Sequence, residues 1–134
     1  MNIRYAKEKD LYYIIKWGHV KDKKIIRKKI KNKEFIVAED KDLIGFLMFQ
    51  NIWEIIPYIE MIHVEKRFRK KGIARKMLEM LEKNTKAKVI ISSCVCNEKE
   101  PQAWHKKLGF EKKGYIDGIQ PEGREVFFVK KLNK

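Results

Sequence analysis

Cysteine, proline and glycine are scarce in this sequence, and acidic residues are few beside basic ones. Only two cysteines occur among 134 residues, Cys94 and Cys96. They lie two apart in what reads as a strand, on one face, where they are poorly placed to bridge each other. No second Cys/His pair stands at ligand spacing, so no metal site is expected, and both read as small core residues of a reduced protein. Three prolines and seven glycines form no linker, and no segment repeats. One domain over residues 1–134 is therefore expected. No stretch approaches the roughly 18–20 apolar residues of a membrane span, so no membrane partner is expected. The opening MNIRYAKEKD lacks the apolar centre of a signal peptide, which makes the cytoplasm the expected location.

What is present is ample for a core: 44% of residues are hydrophobic and 15 are aromatic (7 Phe, 5 Tyr, 3 Trp). A chain of this length buries about two-thirds of its unfolded surface and folds without a disulfide or metal. The 32 Lys and Arg residues against 18 Asp and Glu give a net charge of +14. Such an excess points to an anionic partner: nucleic acid, an acidic membrane surface, or a phosphorylated ligand.

Periodicity sets the element order. Met1 to Ala6 reads as a short strand. Leu11, Ile14 and Ile15 recur at helical spacing from Glu8, with Gly18 as a stop. Asp22 is a cap for a second helix whose apolar stripe is Ile25, Ile26 and Ile30. Phe35–Ala38 and Leu43–Phe49 form a hairpin across a charged turn. Ile55–Val64 is a strand interrupted by Pro57, and Ile73, Met77, Leu78 and Leu81 mark a helix ending near Asn84. A strand over Lys88–Cys96, a helix over Glu98–Leu108, and strands over Phe110–Ile116 and Glu125–Leu132 follow. The order β-α-α-β-β-β-α-β-α-β-β predicts a layered α/β (α+β) fold, a mixed twisted sheet flanked by helices.

One segment stands out for chemistry. After Val64 the chain runs through Glu65, Lys66, Arg67, Phe68, Arg69, Lys70 and Lys71 to Gly72, and then enters a helix at Ile73, Ala74 and Arg75. A helix start has unpaired N–H groups and a partial positive charge, and a glycine lets backbone approach a ligand. This loop is either a phosphate or pyrophosphate site or a solvated basic turn. It has neither the GxxxxGK[ST] nor the GxGxxG pattern.

A second segment adds to it: Asn97, then Ala103-Trp104-His105-Lys106-Lys107-Leu108-Gly109-Phe110. Taken with Arg69 to Ala74, which satisfies [Q/R]-x-x-G-x-[G/A] after a strand ending in Val, this resembles the GNAT acetyltransferase superfamily. In that family a strand ending in Asn is followed by a helix of the form A-x-x-F-Y-x-K-L-G-F. Ile3-Arg4-Tyr5-Ala6 with Asp10-Leu11 is also similar to the family's usual start. The resemblance implies acyl-CoA in a cleft between the strands ending at Val64 and Cys96. Backbone groups of Met61, Ile62, His63 and Val64 would meet the pantetheine arm and polarise the thioester carbonyl. The loop from Arg69 through Lys70, Lys71, Gly72, Ile73 and Ala74 to Arg75 would take the pyrophosphate, and Asn97 would hydrogen-bond the pantetheine.

His105 stands where the family has a Tyr that protonates the departing thiolate. Its role is that of general acid, of hydrogen-bond donor, or of a structural residue. Glu60, an acid in an otherwise apolar strand and four before Val64, is the candidate base. Its competing readings are an ammonium binder or a rim salt bridge. His63 and His19 read as packed or surface residues. The stretch Lys21–Lys33 holds eight basic residues in thirteen and reads as a solvated face.

The resulting expectation is an N-acetyltransferase that uses acetyl-CoA, with a primary amine attacking the thioester directly. The acceptor is a small molecule or a protein amine. Two rivals stand beside it: a small basic nucleic-acid-binding protein, which lacks any RRM, KH, zinc-finger or helix-turn-helix signature, and a catalytically silent acyl-CoA sensor. Exposed strand edges near the C-terminus leave room for a homodimer.

Overall fold

The computed structural model describes all residues, Met1–Lys134. The elements are β1 (Asn2–Tyr5), α1 (Leu11–Trp17), α2 (Lys23–Lys31), β2 (Phe35–Asp40), β3 (Asp42–Ile52) and β4 (Ile56–Val64). They continue with α3 (Ile73–Asn84), β5 (Val89–Val95), α4 (Lys99–Lys107), β6 (Glu111–Gln120) and β7 (Gly123–Lys131). This is the order that periodicity predicts. The seven strands form one mixed sheet in the order β1-β2-β3-β4-β5-β7-β6. β4 and β5 are parallel, while β1–β2, β2–β3, β5–β7 and β6–β7 are antiparallel.

Three local readings need correction. The first helix starts at Leu11, not Glu8, because Glu8–Asp10 is a 3-10 turn. There the Asp10 carboxylate accepts from Lys7 N–H at 2.8 Å and from Arg4 at 2.8 and 3.1 Å. Ile25 is 50% exposed while Ile26 and Ile30 are buried. Residues 26 and 30 share a helical stripe and residue 25 lies about 100° away from it. β3 and β6 run on to Ile52 and Gln120, through exposed residues that give no alternating apolar signal.

The chain forms two compact units, residues 1–50 with 61–84 and residues 51–60 with 85–134. In the first, Leu11 and Ile14 of α1 and Ile26 and Ile30 of α2 pack on Phe35, Val37, Phe46 and Met48. Asp22 caps α2, accepting from Lys24 N–H at 2.8 Å and Ile25 N–H at 3.3 Å. Ile36 and Ala38 alternate to the other face, and α3 packs on β1 and β2. Its buried stripe is Ile73, Met77, Leu78 and Leu81.

In the second unit β5 pairs along its whole length with β7, and Ile90, Ser92 and Cys94 are buried. α4 ends in a Schellman turn: Gly109 N–H donates to Lys106 O and Phe110 N–H to His105 O. Gly109 has φ +94°, the left-handed geometry that such an ending requires. Both cysteines are free: Cys94 is buried, its thiol pushed up to about 11 by burial, but Cys96 is exposed on the turn after β5, so only one of the two expected core residues lies in the core. No helix is long and apolar enough to cross a membrane.

Candidate active site

The strand-to-helix turn of the first unit is built from its own backbone. Glu65 N–H donates to Ile44 O at 2.9 Å, which holds the end of β4 on β3. A Cβ on Gly45 would collide with the His63 carbonyl oxygen, so only glycine permits this close approach. A 3-10 turn over Lys66–Phe68 follows, and Arg69 Nε reaches back to the Val64 carbonyl at 2.9 Å. Lys70 at φ +64° and Gly72 at φ +77° then reverse the chain into α3. Gly72 O accepts from Lys76 N–H at 3.0 Å. The N–H groups of Ile73, Ala74 and Arg75 are therefore first-turn donors with no helical carbonyl to bind.

Nothing lies within 4 Å of where a Cβ at Gly72 would sit, and the first turn of α3 holds no acidic residue. Ile73 is buried and anchors the helix start, whereas Lys70, Lys71 and Arg75 are exposed. Lys71 leans over the Phe68 ring at 5.7 Å. The result is an open, electropositive helix start, of the kind that holds phosphate.

The side chains of β4 near this turn pack inward. His63 stacks on Trp17 at 4.7 Å and meets Tyr13 and Phe46 in tilted geometry at 6.3 and 5.5 Å. Burial holds its pKa below the usual value, and its Nε2 is buried without a hydrogen-bond partner. Met61 Sδ lies 3.3 Å from His19 Nδ1. Tyr13 donates to Glu65 at 2.6 Å, and burial foremost pushes its phenol up. Met61 and His63 thus have packing side chains.

In the second unit Asn97 is exposed on the turn that follows β5. The Gln102 amide donates to the carbonyl of Cys96, and Glu98 N–H to that of Val95, tying the turn to α4. Glu60 is half-buried. His105 is 1% exposed, with its ring 4.3 Å from Phe128 and 4.0 Å from Trp104 in stacked geometry. Its Nδ1 contacts Pro101 O at 2.7 Å and its Nε2 contacts Ser92 Oγ at 2.7 Å. Only a donor satisfies the carbonyl, so Nδ1 carries the proton and Nε2 accepts from the serine. Burial pulls the ring's pKa down to about 4 against the Pro101 bond.

A family model described as the acetyltransferase (GNAT) domain matches residues 31–112. The chain belongs to the GNAT acetyltransferase family. Solved structures share its fold. A GNAT family acetyltransferase from Bacillus cereus has TM-score 0.82 at 21% identity, covering 99% of this chain and 98% of that one. Ribosomal-protein-alanine N-acetyltransferase from Brucella melitensis has TM-score 0.79 at 21% identity, covering 98% and 100%. YncA from Salmonella typhimurium, solved with its cofactor acetyl-CoA, has TM-score 0.79 at 17% identity, covering 100% and 95%. A search of curated proteins returns no match.

One part of this GNAT chain escapes a reading of the sequence. Tyr58 OH lies 2.6 Å from Ser93 Oγ, and Ser93 donates to Glu125 Oε2 at 2.6 Å. Glu125 is only 9% exposed, and its Oε1 is buried with no partner. The signal was there: Glu125 heads the apolar run Val126-Phe127-Phe128-Val129, just as Glu60 sits in an apolar strand. Burial raises the Tyr58 phenol above its usual value; the Ser93 bond pulls it back, and the charges of Glu125 and Glu60 push it further up.

Proposed function

We propose that the chain, acting as one domain over residues 1–134, is an N-acetyltransferase that moves the acetyl group of acetyl-CoA to a primary amine. The observation that carries this is the start of α3: an acid-free, open turn entered through Gly72, with Lys70, Lys71 and Arg75 around it. Those features fit a diphosphate, whose charge needs N–H donors and cations and whose bulk needs space.

Acetyl-CoA, when bound, supplies the activated thioester. The Arg69–Arg75 turn holds the pyrophosphate, with Ile73, Ala74 and Arg75 N–H groups donating. Backbone of Met61, Ile62, His63 and Val64 lies along the pantetheine and steadies the developing oxyanion. Asn97 hydrogen-bonds the pantetheine. Glu60 takes the proton of the ammonium, directly or through water. The amine nitrogen then bonds to the acetyl carbon as the C–S bond breaks and CoA leaves as thiolate, and the nitrogen's second proton passes to that thiolate or to water. No covalent enzyme intermediate is needed, because the thiolate is a tolerable leaving group.

His105 does not act as the acid in this scheme. A ring that is neutral, 1% exposed and engaged at both nitrogens positions α4 against β5. The Brucella melitensis neighbour is named for a ribosomal protein's alanine, so a peptide with an N-terminal alanine is the first acceptor to assay. Millimolar acetyl-CoA is expected to raise the melting temperature, more so with excess ligand, and the amine is expected to trigger thiol release. No thermal shift overturns the reading. A shift without thiol release across peptide, polyamine and amino-acid acceptors indicates the silent sensor.

A further inference from the structure

The second unit buries a carboxylate that the proposed handling of acetyl-CoA does not use. Glu125 lies on β7 opposite Val95 of β5 and Ile116 of β6. Its two oxygens differ. Oε2 accepts the one hydroxyl proton of Ser93, so Ser93 in turn accepts from Tyr58. This chain fixes the carboxylate in one orientation. Phe127, on the same face, lies 6.3 Å from Tyr58. Oε1 keeps its full accepting capacity, buried and unmet. A buried anion with an empty acceptor site is costly, and a cationic donor is what it lacks.

The rest of the chain carries charge of the opposite sign, +14 overall. Within the second unit, Glu60 and Glu125 both act electrostatically on Tyr58, making a local anionic spot. Ile116–Glu125 is also the last regular pair before the register breaks between Ile116 and Gln120. Gly118 stands in that irregular end at φ +92°.

We propose that Glu125, held by Ser93 and Tyr58, binds the ammonium group of the acceptor through Oε1. The acceptor is then a cationic primary amine, and its N–H donates to Glu125 while a second proton leaves to Glu60 or water. This rests on the acetyltransferase reading.

The test uses the whole chain saturated with CoA and three probes: an alanine-initiated peptide, spermidine and n-butylamine. Glu125→Gln keeps the shape and removes the charge. At least one probe is expected to bind the wild type and to bind Glu125→Gln tenfold or more weakly, with acetyl-CoA affinity unchanged. The variant is also expected to melt at the same temperature or higher, since a buried charge without a counter-ion has been removed. Ser93→Ala, which keeps the charge but frees its orientation, is expected to weaken the same probe less. Equal binding by wild type and Glu125→Gln, or no binding of any probe to a wild type that binds acetyl-CoA, overturns the inference and leaves the acetyltransferase reading intact. A wild type that fails to bind acetyl-CoA overturns that reading instead.

Discussion

At the scale of single residues, His105 couples the fold to pH. Its folded pKa of about 4 lies below the ordinary histidine value near 6.5. As pH falls the unfolded chain takes up the proton first. The stability that neutral His105 contributes is therefore complete above pH 6.5 and is lost between pH 6.5 and 4. His63, also lowered, adds in the same sense, so the difference between wild type and variant is what reports His105. His105→Phe is expected to cost about 1–2 kcal/mol at pH 7.5, because Ser92 and the Pro101 carbonyl lose their partner. Chemical denaturation should show that this deficit shrinks toward pH 4. Its kcat should stay within tenfold of wild type; a hundredfold loss at unchanged stability would restore the acid role. The sequence could place His105 on α4 but not tell acid from packing residue. That distinction depends on Ser92 and Phe128, 13 and 23 positions away, closing around the ring beside the nearby Phe110. The pairing of Glu125 was hidden for the same reason: its partners Ser93 and Tyr58 are 32 and 67 positions away.

Elements were far more legible than contacts, because hydrophobic period is a local property. α3 follows from Ile73, Met77, Leu78 and Leu81 alone, all of them buried. The limits appear where burial stops, as in β6, which is exposed at nine of its ten positions and so has no alternation to read. The turn into α3 was legible too, through Gly72, and it carries the sharpest test of the cofactor assignment. A side chain at φ +77° with no neighbour within 4 Å strains only the backbone, by about 1–2 kcal/mol. Gly72→Ala is thus expected to lower the melting temperature by about 3–8 °C. The new methyl would project into the open space assigned to the pyrophosphate. Calorimetric titration is expected to show acetyl-CoA binding weakened tenfold or more, with acetyl-pantetheine, which lacks the pyrophosphate, unaffected. Equal weakening of both ligands would remove the turn from pyrophosphate binding.

Across the whole molecule the charge is unevenly shared. Residues 1–50 and 61–84 carry 21 Lys and Arg against 10 Asp and Glu; the remaining residues carry 11 against 8. The basic unit contains the α3 turn that suits an anion, and the nearly balanced unit contains Glu60 and Glu125, which suit a cation. A polymer binder would need a continuous basic stripe, and its affinity would fall about a thousandfold or more between 50 and 200 mM salt through release of many counterions. A cofactor held by a few N–H groups and three or four side chains releases few. Acetyl-CoA affinity is therefore expected to fall only about tenfold between 50 and 500 mM NaCl, since short-range contacts at the helix start are weakly screened. Replacing Lys23, Lys24 and Lys28 on α2 by Gln removes three charges without touching the α3 turn. If that triple variant binds acetyl-CoA as the wild type does, the α2 charge is a solvated face; a tenfold loss would make it part of the anion's field.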